Sequence, residues 1–445
     1  MSFLPYIIVI VFGLLLLKNR VWAFSFYLSC RLLLPPIVRM GTISMNSVMS
    51  FMMVAYLLLN IKSLINKEYK LLFPITSFLL PLAILSIGGI MPMEAVLKNV
   101  LQTFWTEISP AIFMALIVKT SRDIKLILKT ILIAYCIVGV WGVITYIMKM
   151  NILYTFFIAQ YAGNYDVHDE TGDGTEVIRG ALDSVTTGNL AGPLPWGQES
   201  LLLMLFFLFI KHKEQLSKKL IFFVIILAGI NIFLSGKRSC LLPMLLASSY
   251  YLWYKGIVSV KNILLSLVVC VSTYMVVSSI PQLDSFKQNI ETTLFFWDDA
   301  LAEKNNVSGS NMDMRKRQFE YANMMISNHM FTGLGYDYPG YYTSLHGNHP
   351  VMLGFESIFF VIIVSSGIIG LFIWFFFFRR LCLLSYKSKD DLKFIVVYHG
   401  AFLLSCILTA IQSSLWIYLI LSYLYIKENI LYNSEFKANM PNNFK

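Results

Sequence analysis

The chain has 445 residues, 57% hydrophobic and only 13% charged, with a mean hydropathy of +0.68. That balance excludes an ordinary soluble domain, and the apolar runs are too long and unalternating for a membrane barrel. The net charge of +10 is dispersed over short loops between apolar segments, which argues against a nucleic-acid partner and for an all-α polytopic membrane protein.

In chain order, the apolar runs predict helices at residues 4–17, 21–38, 43–61, 71–90, 101–118, 128–149, 198–210, 220–236, 239–254, 262–280, 353–378, 394–411 and 413–426. The segment 21–38 contains Arg31 and Pro35-Pro36, a poor composition for an ordinary span. A reading of about twelve transmembrane helices, with 21–38 lying flat or re-entering, places Met1 inside; thirteen spans would place it outside. The N-terminal run lacks a basic region and a cleavage site and reads as a retained helix. Cys30, Cys136, Cys240, Cys270, Cys382 and Cys406 fall in or beside apolar segments with no CxxC pair, so they read as packing residues without a disulfide frame or a metal site.

Short loops at Lys62–Lys70, Lys119–Lys129, Lys211–Lys219, Lys255–Lys261 and Arg379–Lys393 hold 18 lysines and arginines and are expected in the cytoplasm. Two extracytoplasmic loops follow from that assignment. The chain then divides into N-terminal transmembrane helices at 1–150, a first external loop at 151–197 and helices at 198–280. A large external loop at 281–352, between the tenth and eleventh spans, C-terminal helices at 353–427 and a cytoplasmic tail at 428–445 complete it. The large loop shows no obvious secondary structure in its sequence, and loops of that length are commonly functional.

The unusual polar residues concentrate in or beside these loops. Arg179 stands among six acids; Arg238 lies in Ser235-Gly236-Lys237-Arg238-Ser239; Arg315 and Arg317 lie in the large loop. The guanidinium fork suits phosphate oxygens, so outward arginines beside a bilayer fit a phosphate-bearing lipid. Pairing with neighbouring acids, or a solvated charged face, is the plainer reading. His346 and His349 flank Gly347-Asn348 and suit general-base work, or are simply loop histidines. Glu356 starts the apolar run 357–378, Glu199 starts another and Glu107 lies inside a third, positions where an acid is costly unless it faces a polar cavity. The tyrosines Tyr336, Tyr338, Tyr341 and Tyr342 read either as faces for sugar rings or as an interfacial aromatic belt.

The run Met314-Arg315-Lys316-Arg317-Gln318-Phe319-Glu320-Tyr321-Ala322, followed by Gly333-Leu334-Gly335, is similar to the O-antigen ligase and O-antigen polymerase superfamily. Ser235-Gly236-Lys237-Arg238-Ser239, Arg179 ahead of Pro195-Trp196-Gly197, and Gly367-Ile368-Ile369-Gly370 resemble further motifs of that family. It departs at one place: eleven residues before Gly367 the sequence reads Glu356-Ser357, where the family usually has histidine and asparagine. The resemblance implies a metal-independent glycosyltransferase without a cofactor in the bacterial inner membrane, with its active site on the extracytoplasmic side. Its donor would be an undecaprenyl-pyrophosphate-linked glycan and its acceptor a glycan or lipid A-core. Arg238 and Arg315 would hold the pyrophosphate, supported by Arg179 and Arg317, with Glu356, His349 or His346 as base. Tyr338, Tyr341 and Trp196 would contact the glycan. Ligase and polymerase stay open, and a transporter or flippase of lipid-linked glycans is the rival.

Overall fold

The structure is a computed structural model. It describes residues 3–34, 38–41, 43–62, 69–148, 193–210, 216–235, 237–256, 312–346, 357–389, 391–411 and 414–438, with isolated positions between 261 and 279. The described residues are almost wholly helical, as the apolar runs require. Helix α1 is Leu4–Lys18 and α2 is Arg20–Leu33; the lone hinge residue Asn19 caps α2, accepting from Val21 N at 3.0 Å and Trp22 N at 3.2 Å. A two-residue hairpin, β1 (Arg39–Met40) and β2 (Ile43–Ser44), leads into α3, Met45–Leu59, capped by Ser44. Then follow α4 (Ile75–Gly88), α5 (Met93–Ile117) and α6 (Ser121–Met148). After the first long loop come α7 (Pro193–Phe209), α8 (Lys218–Leu234) and α9 (Arg238–Tyr254). The second long loop contains α10 (Met312–Met325) and α11 (Tyr338–His346). The chain closes with α12 (Ile358–Ser385), α13 (Asp391–Thr409) and α14 (Leu415–Ala438).

Among the described residues, α5, α6, α12 and α13 are long and apolar enough to cross a membrane, and α1, α3, α4 and α7 are shorter apolar helices. Within the segment expected to lie flat or re-enter, 21–38, α2 packs against α1 and α6. Two helices form the centre. In α7 the side chains from Trp196 to Phe207 are buried, and in α14 those from Leu415 to Asn429, so their apolar residues need no periodicity. The outer helices keep it: Ile133, Ile137, Val140 and Ile144 on α6, and Phe222, Phe223, Ile226 and Ile230 on α8, are exposed. Stripes of that kind suit lipid. At two helix starts an aspartate gathers the free N–H groups. Asp123 accepts from Lys119 N and Thr120 N at the head of α6, and Asp391 from Lys387 N and Ser388 N at the head of α13. Asp391 also accepts from Tyr425 Oη at 2.6 Å and Asn429 Nδ2 at 3.3 Å. Those contacts carry α14 past residue 427, where a tail was expected.

Among its described residues the large loop contains two helices. From α10 into the turn after it the buried positions Gln318, Ala322 and Ile326 recur at helical spacing, and the helix packs on α12. Helix α12 is interrupted at Gly367, where φ is +61°. The turn at 330–335 occupies the break: Leu334 N donates to Val364 O at 2.8 Å, Gly335 N to Ser365 O at 3.0 Å, and Ile368 N to Met330 O at 3.0 Å. Non-helical backbone beside a membrane helix survives only when its polar groups are met in this way. Gly333 has φ +68°, and a Cβ there would sit 2.3 Å from Ser366 N; one on Gly367 would sit 2.5 Å from the Phe331 carbonyl. Both glycines are therefore required by close approach as well as by dihedral angle. On its other side the turn meets the loop after α4, where Ile90 N and Met91 N donate to Leu334 O at 3.0 Å and Tyr336 N to Ser86 Oγ at 2.9 Å.

Candidate functional site

The first turns of α7 and α9 lie together. Cys240 Sγ, one turn into α9, is 3.8 Å from Leu194 O, and Gly197 leaves only 2.9 Å between a would-be Cβ and that sulfur. The next residue, Gln198, is wholly buried and ties this corner to the end of α13. Its Nε2 donates to Ala410 O at 2.9 Å and Ser405 Oγ at 3.1 Å, while Ser414 Oγ donates to its Oε1 at 2.7 Å. Ala410 has φ +76°, a costly conformation for alanine that ends α13. Arg315 of α10 reaches the same helix end, with Nη2 donating to Leu408 O at 3.1 Å. The starts of α7, α9 and α14, the end of α13 and the arginine-bearing α10 thus converge on one end of the bundle.

One layer deeper lies a cluster of charges. Arg31 of α2 is 5% exposed. Its Nη1 donates to Tyr27 Oη and to Thr106 O, both at 2.6 Å, and its Nη2 pairs with Glu107 Oε1 at 3.4 Å. The guanidinium also lies 4.1 Å from the Trp416 ring centre, a cation–π contact. The local sequence explains the acceptor. Pro110 has no N–H for the carbonyl four residues back, which is Thr106 O. Helix α5 widens into a π turn at Phe104–Ile108, a feature common at functional sites, and the turn contains both Thr106 and Glu107. Glu107 Oε2 in turn accepts from Trp416 N at 2.8 Å. Glu199, next to Gln198, completes the group: its charged neighbours are Arg31 and Glu107, and α14 brings the Trp416 indole to it.

Residues 222–375 match the family model of O-antigen ligase. The match supports the O-antigen ligase and polymerase superfamily, and with it a membrane enzyme of surface-polysaccharide assembly. No curated protein matches the chain. The matched segment runs from within α8 to within α12 and so includes Arg238, Arg315, the Gly333-x-Gly335 turn and the Gly367 break. Arg179, Glu199 and the charge cluster lie outside it.

Seven of the ten expected site residues lie among the described residues. Arg238 is the first residue of α9, with Lys237 before it. Arg315 is part-buried at the end of α13, and Arg317 is exposed on α10. Tyr338, Tyr341 and Tyr342 form a part-buried cluster, with ring centres 6.4 and 6.3 Å from Tyr338, and the exposed His346 lies 4.6 Å from the Tyr342 ring. Trp196, expected to contact glycan, is only 1% exposed. It stacks on Tyr135, and its indole N–H donates to Asn231 Oδ1 at 3.0 Å. Tyr135 and Asn231 thus cover the ring in this packing. Arg179, His349 and Glu356 lie outside the described residues. The sequence marks Arg31 only as a poor residue for a span and does not single out Gln198, Ser414 or Trp416, because their partners lie far along the chain.

Proposed function

We propose that the chain is an inner-membrane glycosyltransferase that moves or joins surface-polysaccharide units from an undecaprenyl-pyrophosphate carrier, with its site on the extracytoplasmic face. The observation that carries the reading is the convergence of the start of α9, where Arg238 sits, and Arg315 of α10 on the same corner of the bundle, both within the matched segment. Arg238 and Arg315 would bind the pyrophosphate, with Arg179 and Arg317 supporting. Negative charge grows on that leaving group as the glycosidic bond breaks, and fixed cations stabilise it most in the transition state. The acceptor, a glycan or lipid A-core, would lose its hydroxyl proton to Glu356, His349 or His346. Tyr338 and Tyr341 would flank the glycan. Arg315 bonded to Leu408 O fits a resting state in which the helix end holds the guanidinium until the diphosphate takes it.

Arg238→Lys and Arg315→Lys keep the charge but lose the planar fork. Each is expected to cost about 2–4 kcal/mol in the transition state, roughly 30- to 1,000-fold in rate, measured as glycan transfer by the purified protein. Wild-type rates in both variants would remove these residues from the site.

A further inference from the structure

Glu199 has no task in that transfer reaction, yet it is 0% exposed and, among the described residues, neither carboxyl oxygen has a partner in hydrogen-bonding geometry. The Trp416 indole N–H lies beside it, close enough to favour its charged form but outside that geometry. The charged or titratable groups facing Glu199 are Arg31 of α2, Glu107 of α5 and Tyr135 of α6. Tyr135 gives its hydroxyl to Ser200 Oγ at 2.8 Å. Arg31 gives its nitrogens to Tyr27, Thr106 and Glu107. Glu107 is held as an anion should be, by Arg31 and by Trp416 N; the Thr106 hydroxyl gives its hydrogen to Gln102 O at 2.8 Å.

Two carboxyl groups therefore share one guanidinium inside an apolar bundle. With both ionised the cluster carries a net negative charge away from water, which is costly. With one proton it is neutral. Hydrogen bonds favour the charged form of the group that receives them. Glu107 receives the Trp416 backbone N–H and the Arg31 guanidinium, Glu199 only the approach of the Trp416 indole, so the proton belongs on Glu199. We propose that Glu199 is a proton-binding site within the membrane bundle and carries the single proton of the Arg31–Glu107–Glu199 cluster at neutral pH. The site adjoins Gln198, whose bonds to Ala410, Ser405 and Ser414 form the corner described above. Loss of the proton would place a charge directly beneath that corner. This inference stands apart from the glycosyl-transfer reading.

Infrared difference spectroscopy reads the proton without an activity assay, because a protonated carboxylic acid has a carbonyl stretch that a carboxylate lacks. Against wild type at neutral pH, Glu199→Gln is expected to lose one such band, shifted in heavy water. Glu107→Gln is expected to lose the same band, because the one remaining carboxyl then pairs with Arg31 and ionises. In wild type the band should fade as pH is raised, a reading that needs no variant. An unchanged band in Glu199→Gln would show that Glu199 is ionised and overturn the proposal. A band kept in Glu107→Gln would overturn the shared-charge argument, and Glu107→Gln unfolding at the wild-type midpoint while Glu199→Gln is destabilised would place the proton on Glu107 instead. Glutamine matches the shape of the neutral acid, so Glu199→Gln is expected to unfold at the wild-type midpoint at neutral pH. A marked loss of stability would also contradict the assignment.

Discussion

Glu356→Gln is expected to remove glycan transfer, by about 10²- to 10⁴-fold if its carboxylate is the general base, while donor affinity stays near wild type. The residue immediately precedes Ser357, which caps α12 by accepting from Phe359 N at 3.3 Å. It also stands eleven positions before Gly367, the break into which the 330–335 turn fits. Whatever group occupies position 356 is thus tied in sequence to the segment that anchors α10 and its arginines. His349→Gln is expected to do less. Donor affinity and turnover measured on both variants separate three outcomes. Loss of turnover alone in Glu356→Gln supports the base. Loss of donor binding as well would make Glu356 a partner of the pyrophosphate arginines. A dead His349→Gln beside an active Glu356→Gln would move the base into the loop.

Arg31→Met is expected to destabilise the bundle by about 3–5 kcal/mol, the usual cost of removing one member of a buried ion pair. Three acceptors lose their donor at once: Tyr27 Oη, Thr106 O and Glu107 Oε1. Pro110, four residues on from Thr106, has no N–H with which to replace the lost donor. The double variant Arg31→Met with Glu107→Gln should recover part of the loss, because the unpaired acid is gone. Unfolding of the single and double variants in mixed micelles measures the coupling between the two residues. A change within about 0.5 kcal/mol for Arg31→Met, the range of an ordinary surface substitution, would show that the cluster does not hold the helices together.

The sequence made the helical class and most helix positions legible, since apolar runs of membrane length have few alternatives. The runs at 220–236 and 239–254 fall on α8 and α9 within two residues, and the run at 128–149 covers all but the first two turns of α6. What escaped notice were the interruptions. The break at Gly367 is invisible to hydropathy, because Ile358 to Phe378 is apolar on both sides of it; only the partner turn at 330–335, far along the chain, gives the glycine its reason. Helix α10 was hidden for the opposite reason. Its composition is polar, and its helical signal is the spacing of Gln318, Ala322 and Ile326, too sparse to stand out among charges. Arg31 was read as a defect in a span because its compensation comes from Glu107 and Thr106, some 75 residues away. The motif glycines and arginines of the large loop were legible as a resemblance, and the structure adds a physical reason for Gly333 and Gly367. For Trp196 the sequence showed an aromatic near a loop. Its burial depends on Tyr135 and Asn231, which no local pattern reveals.

The most direct measurement of the central claim is reconstitution of the purified protein in liposomes with a radiolabelled undecaprenyl-pyrophosphate glycan and an acceptor on the same face. Covalent transfer of label to the acceptor, lost in Arg315→Lys, is the predicted result. Movement of intact donor across the bilayer without transfer would contradict the enzyme reading and establish a transporter of lipid-linked glycans in its place.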